Sequence, residues 1–169
     1  MDVREAKERD VEAILLLRER VAAEDRWIAE TTPDDRPAGR RLYVDRIQRP
    51  SCSVLVSESE GVIDGVAAVD LVDGIAALGM FVDAASRGLG KGTALLTAAI
   101  AWARSQGAHK VGLDVWPHNE PAIRLYRRAG FVTEGRRLRH YRRRNGEVWD
   151  VVQMGLILDH TSPGCRFDA

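Results

Sequence analysis

Apolar and polar positions along the chain follow two different periods, and the change from one to the other organises it. Val11, Ile14, Leu15, Arg18, Val21 and Ala22 recur at helical spacing behind Asp10, a residue type suited to cap a helix. A short strand over 3–6 precedes this helix. Residues 23–40 carry two prolines, mixed charges and Trp27, which predicts a loop leading to a short second helix over 38–47, stopped by Pro50. The period then shortens, and 54–57, 62–71 and 75–82 read as strands joined by turns at Glu60-Gly61 and Asp73-Gly74. Asp64-Gly65 is a competing turn signal and is read as a bulge or kink. The segment 75–82 contains no charge, which predicts a central strand buried on both faces.

A glycine-rich stretch, Arg87-Gly88-Leu89-Gly90-Lys91-Gly92, follows that strand. It opens a helix over about 90–105 whose apolar face is Leu95, Leu96, Ala99, Ile100 and Ala103, with Gly107 placed to end it. Residues 111–116 form another strand. Asn119 or Glu120 can cap a further helix with Pro121 in its first turn, ended by Gly130. Residues 131–141 and 147–158 read as a long hairpin turning at Asn145-Gly146, and 159–169 as a loose tail. The expected fold is one α/β domain over 1–158, in the order β-α-α-β-β-β-α-β-α-β-β.

Composition narrows the partners. A length of 169 residues suits a single core, and Lys plus Arg (25) balance Asp plus Glu (25). A net charge of zero removes the simplest argument for nucleic acid or a membrane as partner. Cys52 and Cys165 sit in no ligand spacing, so neither a disulfide framework nor a metal centre is expected. No basic segment followed by an apolar run opens the chain, and the uncharged run 93–103 is too short to span a bilayer. A cytoplasmic protein is the expectation.

A strand, a glycine-rich turn and a helix start together make an anion site. First-turn N–H groups lack intrahelical partners, the macrodipole favours negative charge, and glycine lets the backbone approach phosphate oxygens. A dinucleotide fingerprint needs glycine where Thr93 stands, and a Walker loop needs Ser or Thr directly after Lys91, where Gly92 stands. Neither pattern fits.

The spacing Arg87-x-x-Gly90-x-Gly92 resembles the acetyl-CoA loop of the GCN5-related N-acetyltransferase superfamily. Leu113-x-Val115-x-x-x-Asn119-x-x-Ala122-Ile123-x-Leu125-Tyr126-x-x-x-Gly130-Phe131 is similar to its second coenzyme motif. The resemblance implies a mixed sheet, splayed after the strand 75–82, with acetyl-CoA as cosubstrate. It implies coenzyme contacts at Met80, Phe81, Val82, the run Arg87, Gly88, Leu89, Gly90, Lys91, Gly92 and Thr93, and at Asn119 and Tyr126. It places an oxyanion donor on the N–H of Met80 or its neighbours, beside a strand distortion at Gly79, and makes Tyr126 the group that protonates the departing thiolate. By itself Gly79 suits a bulge, a close backbone approach or packing under a helix.

The strand 75–82 lacks the glutamate that some relatives use as general base. Asp114, Glu24 and Glu30 are substitutes, a water relay is another, and the role stays unassigned. The resemblance puts Glu24, Trp27, Glu30 and the late hairpin around the acceptor. Arg136, Arg137, Arg139, Arg142, Arg143 and Arg144 fall on both faces of a regular strand, which fits an exposed hairpin. Glu134-Gly135, Asn145-Gly146-Glu147 and Asp150-x-x-x-Met154 are similar to bacterial acetyltransferases of small amines, amino acids or antimetabolites. The expected acceptor is therefore a small-molecule primary amine. A protein amine and a non-catalytic acyl-CoA-binding module are the alternatives. Trp149 and Val151, on a strand read as exposed, are a candidate homodimer contact.

Overall fold

The computed structural model describes residues 2–28, 36–143 and 145–159. Among them the order is β1 (Asp2–Glu5), α1 (Val11–Ala23), α2 (Arg36–Gln48), β2 (Cys52–Ser59), β3 (Val62–Val72), β4 (Ile75–Val82), α3 (Lys91–Ser105), β5 (Lys110–Val115), α4 (Glu120–Arg128), β6 (Val132–Arg142) and β7 (Val148–Ile157). This is the expected succession, with boundaries moved by a few residues. Asp10 departs from its expected role. Its side chain does not cap α1; it accepts from the Lys7 N–H at 2.7 Å and from the Arg4 guanidinium at 2.7 and 3.1 Å. A 3-10 turn over Glu8–Asp10 leads into α1 and turns the carboxylate back toward β1.

The strands form one mixed sheet in the order β1-β2-β3-β4-β5-β7-β6, in which β4–β5 is the parallel pair. Alternation along the strands separates two cores. Leu55, Ala67, Val69, Ala76 and Leu78 pack with Leu95, Leu96 and Ala99 of α3 and with Tyr126 of α4. Val54, Val56 and Val66 point the other way, against Val11, Ile14, Leu17 and Val21 of α1 and Tyr43 of α2.

Asp64 is the bulge residue. Ser57 pairs with Gly65 but Glu58 pairs with Ile63, which leaves Asp64 without an opposite number. A Cβ on Gly65 would come within 2.5 Å of the Ser57 hydroxyl and 2.8 Å of Leu95, so only glycine fits. The β6–β7 hairpin turns at Asn145-Gly146 with Gly146 at φ +87°, but its strands are irregular. Arg137 pairs with Val151 and Tyr141 with Trp149, so residues 138–140 lie opposite Asp150 alone. Asp150 holds this excess by accepting from the Arg139 N–H at 2.7 Å and from Arg136 at 2.6 and 3.0 Å. The regular alternation expected of the arginines therefore fails. Arg143 turns inward at 4% exposure, its guanidinium 4.0 Å from the Trp149 ring centre. Arg144 lies outside the described residues.

β4 corrects a second expectation. Ala76 and Leu78 are buried, but Ile75, Ala77 and Gly79 on the opposite face are exposed. α1 and α2 cover β2 and β3 and stop short of this edge, so the uncharged strand floors an open cavity.

Candidate active site

The strand edge facing the gap comes first. Asp83 donates its N–H to the Asp64 carbonyl at 2.8 Å, and β3–β4 pairing runs without a shift from Gly65↔Val82 to Val72↔Ile75. Antiparallel hydrogen bonding alternates by residue, so the backbones of Phe81 and Gly79 face β3 while those of Leu78, Met80 and Val82 face β5. β5, however, pairs with β4 only at Ile75, Ala76 and Ala77. Beyond Ala77 the sheet splays, and the Met80 N–H opens into the gap. Gly79 shows no distortion and no covering helix; a Cβ there would meet nothing within 4 Å.

Below the gap, the glycine-rich turn begins α3. Gly88 and Gly90 sit at φ +78° and +85°, conformations that a side chain would strain. A groove of about 500 Å³ runs from this turn to α4, with Val82, Arg87, Gly88, Gly90, Gly92 and Thr93 on one side and Asn119 and Tyr126 on the other. Met80 and Phe81 form its inner end. Leu89 stands outward at 62% exposure.

Lys91 does not present its charge to the groove. Its Nζ lies 3.0 Å from Asp64 Oδ2 and donates to the Glu58 carbonyl at 2.9 Å, with both Lys91 and Asp64 at 5% exposure. Ser57, Ser59 and Ser86 also donate to Asp64, at 2.7, 2.8 and 3.2 Å. Burial opposes ionisation of this carboxyl, but the Ser57, Ser59 and Lys91 contacts outweigh it and hold Asp64 below the usual carboxylate range. The bulge thus supplies a carboxylate beneath the start of α3, and the first helical residue turns down to meet it. The Arg87 guanidinium lines the groove but engages Glu24 at 2.6 and 2.7 Å, while its Nε donates to the Val82 carbonyl at 3.1 Å.

Asn119 caps α4, accepting from the Ala122 N–H at 3.3 Å. That helix carries Tyr126, whose ring is 5.7 Å from that of Phe131 and 7% exposed. Burial pushes its phenol above the ordinary tyrosine value, so it stays protonated. Tyr126 is shared by the groove and by a second cavity of about 260 Å³ on the α1–α2 side of the sheet. Trp27, Ile28, Met80, Phe81 and Asn119 are shared in the same way.

This second cavity is where reading by sequence fell short. Arg18, Tyr43, Arg46, Trp116 and Tyr141 line it over the Gly79 floor, and they come from α1, α2, β6 and the end of β5. One signal was present: Arg18 occupies a core-facing position of α1, where an arginine is out of place. Burial lowers the Arg18 guanidinium from its ordinary value, and Arg46 adds to the lowering. Arg46 is itself neutralised by Asp70 at 2.7 and 3.1 Å.

The three candidate bases part company. Asp114 lines the second cavity, with the Tyr141 hydroxyl donating to it at 3.5 Å. Glu24 is occupied by Arg87 and by the Trp27 indole N–H at 2.6 Å, contacts that hold it below the carboxylate range and make it a poor proton acceptor. Glu30 and Cys165 lie outside the described residues. The proposed dimer contact also changes character. Val151 is 1% exposed and lines the cavity, while Trp149 packs edge-on against Trp116 at 5.3 Å and His118 at 4.8 Å. Among the described residues no cluster of three or more His, Cys, Asp or Glu could hold a metal ion, and no helix is long and apolar enough to cross a membrane.

A splayed mixed sheet, a glycine turn at a helix start and a capped helix carrying Tyr126 are the arrangement that the resemblance to the acetyltransferases implied. The acetyltransferase (GNAT) family profile matches residues 18–131, and the chain belongs to that family. L-amino acid N-acetyltransferase AaaT of Escherichia coli (strain K12) is 28% identical over 164 residues, covering 92% of this chain and 96% of that protein. The structure of YncA from Salmonella typhimurium with its cofactor acetyl-CoA superposes with TM-score 0.84 at 28% identity, covering 98% and 99% of the two chains. Ribosomal-protein-alanine N-acetyltransferase from Brucella melitensis gives TM-score 0.83 at 27% identity, covering 94% and 100%. The protein is an acetyl-CoA-dependent N-acetyltransferase.

Proposed function

We propose that the chain transfers acetyl from acetyl-CoA to the primary amine of a small molecule. The observation that carries this reading is the meeting of the two cavities at Met80 and Tyr126. The groove has helix N–H groups and glycines for a pyrophosphate, and the Leu78–Val82 edge offers backbone partners to a pantetheine arm. The second cavity, at about 260 Å³, falls below the roughly 300–1,000 Å³ typical of drug-sized ligands. A small acceptor fits it better than a folded protein's terminus.

In this reading the first turn of α3, with Arg87, holds the pyrophosphate, and the Met80 N–H donates to the developing oxyanion. Asn119 fixes the helix that presents Tyr126. The phenol hydrogen-bonds to the sulfur as negative charge gathers there. One proton leaves the amine and one arrives on the thiolate, so the reaction is neutral overall. Asp114 stands beside the acceptor amine as its route for proton release.

Thiol release measured with a library of small amines and with an alanine-ended peptide tests the reading. Turnover of small amines with little or none of the peptide is expected. Turnover of the peptide alone, or acetyl-CoA binding without any turnover, would overturn it. Gly79→Val provides a second measurement. The added side chain enters open space, so folding is retained, while the acceptor KM rises about tenfold and acetyl-CoA affinity holds. A shift in acetyl-CoA affinity with the acceptor KM unmoved would assign the Gly79 floor to the coenzyme instead.

A further inference from the structure

Arg18 is placed against the grain of its helix. It occupies the α1 stripe in which Ile14 is 0%, Leu15 4% and Val21 1% exposed. Its guanidinium enters the acceptor cavity beside Tyr43, itself 4% exposed. Among the described residues no carboxylate pairs with Arg18; Tyr43 and Arg46 are the ionisable groups that face it. Arg46 on the same wall is already matched by Asp70 at 2.7 and 3.1 Å. The Tyr43 hydroxyl has no acceptor either, and burial keeps it protonated. One wall of a small cavity therefore holds a fixed positive charge and a phenolic donor, both lacking an acceptor.

An anion entering the cavity meets a half-buried guanidinium and a phenolic hydroxyl that no protein acceptor occupies. The fork of an arginine matches the two oxygens of a carboxylate, and a tyrosine O–H adds a third donor. Met80 and Tyr126 line the same cavity and also the groove, and in the proposed reaction the amine reaches the thioester there. We propose that Arg18 and Tyr43 anchor a carboxylate on the acceptor, so that the substrate is a small amine that also carries an acid group, as an amino acid does. This rests on the small-molecule reading above and specifies what that molecule must carry.

The test uses the full chain with acetyl-CoA and a panel of common L-amino acids, each beside its own carboxamide. The free acids are expected to exceed their carboxamides in kcat/KM by about tenfold to a hundredfold, the range for losing hydrogen bonds to a charged group. Arg18→Gln should collapse that ratio toward unity, chiefly through KM for the acid. Tyr43→Phe should reduce it by a smaller factor, and the two variants guard against a result caused by misfolding in one. Equal use of acids and carboxamides by the wild type, or an unchanged ratio in Arg18→Gln, would overturn the anchor. If no amine of either kind is acetylated, the function proposed above fails, and calorimetric titration of the free amino acids into coenzyme A-loaded protein decides the anchor separately. Binding seen in the wild type and lost in Arg18→Gln supports it; equal or absent binding overturns it.

Discussion

Tyr126→Phe is expected to lower kcat on the order of a hundredfold while leaving acetyl-CoA affinity within about twofold. The substitution removes one hydroxyl from a ring that is 7% exposed and packed on Phe131, so the groove keeps its shape. Only the donor at the cavity junction is lost. The raised phenol value sharpens what that donor does. An ordinary tyrosine near 10 is already a weaker acid than a thiol near 8.5, and burial widens the difference. Complete proton transfer to the thiolate by Tyr126 alone is therefore uphill. In the proposed mechanism the phenol lowers the barrier by hydrogen-bonding to sulfur as charge develops, and the proton settles there as the amine releases its own. Stopped-flow rates with and without the hydroxyl, at saturating acceptor, measure the effect. An unchanged kcat would remove Tyr126 from the mechanism, and a large loss of acetyl-CoA affinity would make it a packing residue.

Lys91→Met should act on stability more than on the coenzyme. Removing one partner of a buried ion pair leaves the other charge stranded, at about 3–5 kcal/mol. For a chain of this size that corresponds to a fall in Tm of roughly 10 °C. The pair is also pH-dependent in a defined direction. Asp64 is held below the usual carboxylate range, so its stabilisation is fully present above the unfolded value near 4 and disappears as pH falls through the folded one. The gap in Tm between wild type and variant should therefore be widest near neutrality and close in acid, which calorimetry over a pH series reads directly. A variant melting within about 2 °C of wild type, with weakened acetyl-CoA binding, would return Lys91 to the role of a phosphate-binding cation.

The glycine-rich turn at the start of α3 was legible because its geometry is local. Positive φ at Gly88 and Gly90, free N–H groups at a helix start and an asparagine cap at 119 depend on residues a few positions apart. The bulge at Asp64 was legible for the same reason, since a turn-forming pair interrupts an apolar strand. The direction of the Lys91 side chain was not legible because it depends on that bulge, and the two are separated by 27 positions, from 64 to 91, with a hairpin and a loop between them. β4 was misassigned because absence of charge does not tell a core from the floor of a cavity; that depends on how far α1 and α2 extend over the sheet.

The sequence by itself determined the order and kind of the elements, the glycine turn at the start of α3 and the family, because hydrophobic period, turn chemistry and helix-start geometry are short-range and written in adjacent residues. The tertiary structure alone decided the second cavity, which the proposal assigns to the acceptor. Arg18, Tyr43, Asp114, Tyr141 and Val151 share one cavity only because α1, α2, β5, β6 and β7 converge over the splayed edge of β4. Their burial and the charges they face are set by elements distant in the chain, and no local pattern records which of those elements come together.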